Sequence, residues 1–224
     1  MFTQIYSIQT VEEALGCVEA GADRVGVLVG TPGGKFPCAI HEDEAGRIFE
    51  ALKGKAVRVL ISVADNERDI LEQTKRLRPD VLHLCANFTG NAAFRERMRE
   101  EIPEVLLMEA VGIEDDSAVE DAKQKAEYAD LLILDSVSKT VPGVGAAGVT
   151  HDWSIDRAIV EAVDVPVILA GGLGPDNVED AIRAVRPAGV DSLTKTSVKE
   201  NGVLVRKDLD KVREFCRRAM AVEL

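Results

Sequence analysis

Residues 168–182, ILAGGLGPDNVEDAI, bring an apolar run to its end in Gly171-Gly172 and at once open what reads as a helix with Pro175, Asp176 and Asn177. Adjacent glycines at a strand-to-helix junction let a ligand approach the backbone closely, and exposed amides at a helix start point toward an anion. The stretch therefore predicts a βα unit with an anion site at its top.

The same alternation runs along the whole chain. Short apolar runs that read as buried parallel strands are QIYSI (4–8), RVGVLV (24–29), VRVLISV (57–63) and VLHL (81–84) in the first half. VLLMEAV (105–111), DLLILD (130–135), VPVILAG (165–171) and GVDSLTK (189–195) follow. Between them, Val11, Leu15 and Val18, or Ile70, Leu71, Thr74 and Leu77, recur at helical spacing. Thr10 with Glu13 forms a capping box, Asn66 with Asp69 a related acidic cap, and Gly21 and Gly54 stand where helices end. Eight such units, closed by DLDKVREFCRRAM as the last helix, predict an α/β fold, a (β/α)8 TIM barrel, as one domain over residues 1–224. A doubly wound open sheet would more often carry GxGxxG after its first strand, and SIQT offers none.

Composition narrows the partners. The 224 residues carry a formal charge of -12 and only 4% aromatics. Phosphate-backbone binding needs clustered Lys and Arg, and single-strand binding needs stacking platforms, so no nucleic-acid partner is expected. Cys17, Cys38, Cys85 and Cys216 lack CxxC spacing and read as free thiols in a reducing compartment. The opening MFTQIYSIQTVEEAL has no basic region followed by an apolar core, and no apolar stretch reaches membrane-span length. A cytoplasmic protein with no membrane partner is the expectation.

Barrel chemistry sits at the carboxyl ends of the strands. Gly171 and Gly172 end the seventh run and Thr194 and Lys195 the eighth, the two positions where barrels often bind phosphate. Asp135 ends the sixth, where desolvation suits a carboxylate to proton transfer; capping of the following turn is the other reading. Residues 138–153, SKTVPGVGAAGVTHDW, have the composition of a binding loop or lid. Lys195 could contact phosphate or, if desolvated, form a Schiff base. His83 and Cys85 share one face of the fourth strand and are candidate substrate contacts; without a third ligand nearby they predict no metal. His41 to Glu44, HEDE, reads as the acidic first turn of a helix.

These residues, with EEALGCVEAGADRVGVLV, LLILDS, HDWS, PVILAGGLGPDNVEDAI, AGVDS and KDLDKVREF, resemble the phosphoribosylanthranilate isomerase family nearly end to end. The resemblance implies a cofactor-free Amadori rearrangement. A general acid protonates the ring oxygen of a phosphorylated aminoaldose, and a general base then removes the C2 proton to give an aminoketose. It implies Asp135 as the acid and Gly171, Gly172, Thr194 and Lys195 as phosphate contacts. Several positions depart from the family pattern. Tyr6 of QIYS stands where KICG carries the catalytic cysteine, GTPGGK replaces the SPR segment, Cys85 of HLCA replaces a histidine, GAAG replaces GGTG, and TK replaces SG. A phenol with a pKa of about 10 is a poor base at neutral pH unless strongly perturbed. The expected partner is a phosphorylated small molecule, with a homodimer left open. A Schiff-base lyase or aldolase using Lys195, and a non-catalytic phosphosugar-binding barrel, are the alternatives.

Overall fold

The computed structural model describes residues 1–36, 38–137, 152–201 and 203–223. Eight parallel strands close in sequence order into a barrel. They are β1 (Phe2–Ile5), β2 (Arg24–Val29), β3 (Val57–Ser62), β4 (Val81–Leu84), β5 (Leu106–Ile113), β6 (Leu131–Ser136), β7 (Val167–Leu169) and β8 (Gly189–Ser192). The outer ring is α1 (Val11–Glu19), α2 (Glu42–Leu52), α3 (Glu67–Leu77), α4 (Ala92–Glu101), α5 (Ser117–Ala126), α6 (Trp153–Ala162), α7 (Val178–Val185) and α8 (Leu209–Met220). Closure is made by β1 lying on β8, with Phe2 opposite Gly189 and Gln4 opposite Asp191. The expected (β/α)8 barrel is the observed one.

Strand alternation sorts the side chains into two cores. Leu28, Val59, Ile61, Val81, Met108, Leu131, Ile133 and Ile168 fill the barrel itself. Their sequence neighbours Leu60, Leu82, Leu107 and Leu169 face the helices, against Phe49, Phe94 and Phe215. Each such fully buried side chain contributes about 1.5–3 kcal/mol. The same parity carries the inward rows on to Tyr6, Cys85, Asp135 and Leu193 at the mouth.

Helix starts follow the sequence reading. Thr10 accepts the Glu13 amide at 3.2 Å, and the Glu13 carboxylate reaches past the cap to the Gln9 amide at 2.8 Å. Asn66 accepts from the Asp69 amide at 3.0 Å. No described helix is long and apolar enough to cross a membrane.

Four details differ from expectation. Tyr6 and Cys85 lie one residue beyond β1 and β4. β8 stops at Ser192, so Thr194 and Lys195 stand in a 3-10 turn, Thr194–Thr196, where the Thr196 and Ser197 hydroxyls both bond the Leu193 carbonyl. α7 starts at Val178 rather than Pro175, because Asn177 takes the Gly174 amide at 2.9 Å and donates to the Gly172 carbonyl at 3.2 Å, locking a turn first. Before α8 the chain inserts an antiparallel hairpin, β9 (Ser197–Glu200) and β10 (Val203–Lys207). Alternating residues around Asn201-Gly202 carried that signal in the sequence.

Candidate functional site

The mouth of the barrel divides into two sides. On the β6–β8 side, Asp135, Gly171, Gly172, Leu173, Asp191, Leu193 and Thr194 line a narrow cleft of about 20 Å³. Gly171 and Gly172 take successive left-handed conformations, φ +82° and +63°, which a side chain would strain. Without side chains, this pair leaves its backbone open to close approach by a ligand. The two loops at the rim touch: a Cβ on Gly174 would lie 2.6 Å from the Lys195 Cβ. The Lys195 ammonium stands 3.7 Å from the Asp176 carboxylate, with its side chain 44% exposed.

Beneath the glycines lies Asp191, 5% exposed. Its Oδ1 accepts from the Gln4 amide at 3.2 Å across the β1–β8 seam. Burial raises the Asp191 carboxyl to about 8, and Asp135 adds to the rise, while the Gln4 hydrogen bond and the Lys207 charge oppose it. The Asp135 carboxylate accepts the Ser136 amide at 2.7 Å. This cleft thus places two carboxylates beside a glycine turn.

On the β1–β4 side the mouth is filled. Tyr6 packs its ring over Gly26, where an added Cβ would come within 2.0 Å of two ring carbons, so only glycine fits opposite. Its hydroxyl lies 3.0 Å from His83 Nδ1, and the two rings stack with centroids 5.6 Å apart. Burial lifts the phenol well above its ordinary value, reinforced by Asp191 and Cys85. Burial also drops His83 to about 3. At neutral pH the phenol is therefore protonated and the imidazole neutral, the two sharing one hydrogen bond whose direction follows the imidazole tautomer, and His83 Nε2 is buried without a hydrogen-bond partner among the described residues. Burial, with Asp135 and Glu109 adding to it, pushes the Cys85 thiol up to about 12. None of these three groups is a ready base.

Of the residues singled out from sequence, Asp135, Gly171, Gly172 and Thr194 share one cleft and Lys195 marks its rim. Tyr6, His83 and Cys85 form the opposite wall. Residues 138–151 of the sixth loop, GAAG included, lie outside the described residues; Asp152 caps α6 by accepting the Ser154 amide. Sequence reasoning missed Asp191, Gln4, Lys207 and Glu109. Asp191 was detectable as a charge inside an apolar strand with inward parity; Gln4 shares that parity. Lys207 had no such signal. Its ammonium is buried and bonds the Tyr6 carbonyl, the Leu193 carbonyl at 3.3 Å and the Ser197 hydroxyl at 2.9 Å. Glu109, outside the barrel wall, accepts the Gly90 amide at 2.7 Å and is raised to about 7 by burial.

Comparison with known proteins gives the following. A family model described as N-(5'-phosphoribosyl)anthranilate (PRA) isomerase matches residues 7–218. The N-(5'-phosphoribosyl)anthranilate isomerase of Methanocella arvoryzae is 32% identical over 212 residues, which cover 95% of this chain and 94% of that protein. A crystal structure of phosphoribosyl anthranilate isomerase in complex with reduced 1-(o-carboxyphenylamino)-1-deoxyribulose 5-phosphate superposes with a TM-score of 0.77 at 26% identity, covering 99% of this chain and 100% of that one. Monomers generated from the dimeric Thermotoga maritima enzyme superpose with a TM-score of 0.76 at 26% identity, with the same coverage.

Proposed function

The chain belongs to the N-(5'-phosphoribosyl)anthranilate isomerase family, and from that premise we propose that it isomerises a phosphorylated aminoaldose, phosphoribosylanthranilate or a close relative, to the aminoketose. The observation that carries the reading is the cleft in which Asp135 shares a wall with Gly171, Gly172 and Thr194. A phosphate held by the glycine amides and the Thr194 hydroxyl would hang the sugar beneath them, with its ring oxygen toward Asp135. Asp135 is then the general acid that protonates this oxygen and opens the ring, a role worth about 10²–10⁴ in rate. Lys195 adds charge at the rim. Every step is a proton transfer, so the reaction needs no cofactor.

A relative of this chain is in complex with reduced 1-(o-carboxyphenylamino)-1-deoxyribulose 5-phosphate, which supports a phosphosugar as the ligand here. Another relative is dimeric, which supports a homodimer for this chain; light scattering in solution tests it. The cytoplasm is the compartment that suits such a metabolic enzyme. Schiff-base chemistry has no comparable support, because Lys195 stands half in water beside Asp176 rather than in a desolvated pocket.

Turnover of phosphoribosylanthranilate, together with calorimetry using ribose 5-phosphate and inorganic phosphate, tests the proposal. Turnover, with ribose 5-phosphate displaced by phosphate, is expected. Binding without turnover would favour the non-catalytic barrel, and the absence of both would end the reading.

A further inference from the structure

We propose that Asp191 is the general base of this reaction, working with Asp135 as a carboxylate pair that shares one proton. The assignment rests on the isomerase reading above and supplies what that reading lacks, since Tyr6 stands in the place where the family carries its thiol.

Position comes first. Asp191 faces inward from β8 and lines the same cleft as Asp135, Gly171 and Gly172, so a sugar held by the glycines lies against both carboxylates. The groups on the opposite wall cannot take a carbon-bound proton. The Tyr6 phenol is spent on His83, and the thiol of Cys85 stays protonated. Protonating His83 would place a charge in a buried ring whose Nε2 has no acceptor among the described residues.

The groups facing Asp191 decide where the shared proton rests. Gln4 from β1 donates to Oδ1, and Lys207 from β10 adds positive charge; both favour ionised Asp191. Burial and the negative charge of Asp135 from β6 oppose it, and Tyr6, beyond the end of β1, stays neutral. A proton on either carboxylate removes the repulsion, and the tautomer that reacts is the one with its proton on Asp135 and its charge on Asp191. The apparent constants belong to the pair rather than to either member.

The chemistry then balances. Asp135 gives its proton to the ring oxygen as the C1–O bond breaks and the nitrogen lone pair forms C1=N. The Asp191 carboxylate takes the C2 proton; the C–H electrons become C1=C2 and the C=N pair returns to nitrogen. The enol loses its hydroxyl proton and C1 gains one through solvent, giving the aminoketose. C2 is oxidised and C1 reduced within the substrate, and the pair again holds one proton, now on Asp191, which returns to Asp135 through the open cleft.

Asp191→Asn, assayed with phosphoribosylanthranilate, is expected to lower kcat by about 10²–10⁴-fold. Its affinity for reduced 1-(o-carboxyphenylamino)-1-deoxyribulose 5-phosphate should stay within about threefold, because the phosphate cradle is untouched. For the unsubstituted chain, kcat/KM should fall above pH 8, as the pair loses its last proton. Gln4→Met removes the bond that favours ionised Asp191 and should move this limb to higher pH, a displacement that a purely structural role would not produce. It also serves as the test if Asp191→Asn melts early. Turnover of Asp191→Asn within about tenfold of the unsubstituted chain, or an unmoved limb in Gln4→Met, overturns Asp191 as base and leaves the isomerase reading intact. No turnover by the unsubstituted chain overturns the isomerase reading, and Asp191's role with it.

Discussion

The two sides of the barrel mouth are built from the same eight-strand frame, yet one is open and charged and the other closed and neutral. Around β6, β7 and β8, two carboxylates sit below left-handed glycines. Around β1, β2 and β4, Tyr6 and His83 stack over Gly26 with their titrations pushed out of the physiological range. A buried side chain can serve packing or proton transfer, and whether burial carries its titration into or out of the physiological range tells which. Burial brings the Asp191 titration up into the physiological range, where the carboxyl can trade a proton; the same force carries Tyr6 and His83 out of that range and leaves both neutral.

The contrast makes the cleft side sensitive in rate and the filled side sensitive in stability. Asp135→Asn should break it most visibly, lowering kcat by about 10²–10⁴-fold in a turnover assay while leaving the melting temperature nearly unchanged. Tyr6→Ala empties the opposite wall and should cost about 3–5 kcal/mol in a denaturant titration. His83 sharpens the comparison through pH. Its folded value near 3 lies below an unfolded value of about 6.5, so the stability it contributes is complete above pH of about 6.5. This contribution is lost as pH falls toward 3, at no more than about 1.4 kcal/mol per unit, and melting curves of His83→Gln should show a flatter decline there. Gly172→Val forces a branched residue into φ +63° and should destabilise by about 1–3 kcal/mol and weaken phosphate binding measured by calorimetry. Smallest is Lys195→Ala: a half-exposed charge at the rim should change ribose 5-phosphate affinity by less than about tenfold, with loss of its salt dependence.

Short continuous apolar runs separated by amphipathic segments made the barrel legible, because every strand buries both faces and each crossover returns a helix to the outside. The phosphate cradle was legible for a local reason: GG after a strand has few other physical uses. Asp135 showed itself as the one charge ending LLIL. Other features depend on contacts between residues far apart in the chain. That Tyr6 rests on Gly26 and bonds His83 follows from strand stagger, which no local pattern encodes. Asp191 lay inside a quoted strand, yet its partner Gln4 is 187 positions away. Lys207 belongs to a hairpin whose Asn-Gly signal passed unread beside the stronger helix that follows.

Lys207 also bears on how the chain is made. During synthesis Phe2–Ile5 leaves the ribosome well before its partner strand Gly189–Ser192 and the ammonium that grips the Tyr6 carbonyl. Contacts so distant along the chain carry a large loop-closure entropy and form late. The nascent polypeptide therefore emerges as a curved, unfinished wall with a bare edge, and both the tyrosine plug and the acidic couple take shape only when that late lysine arrives.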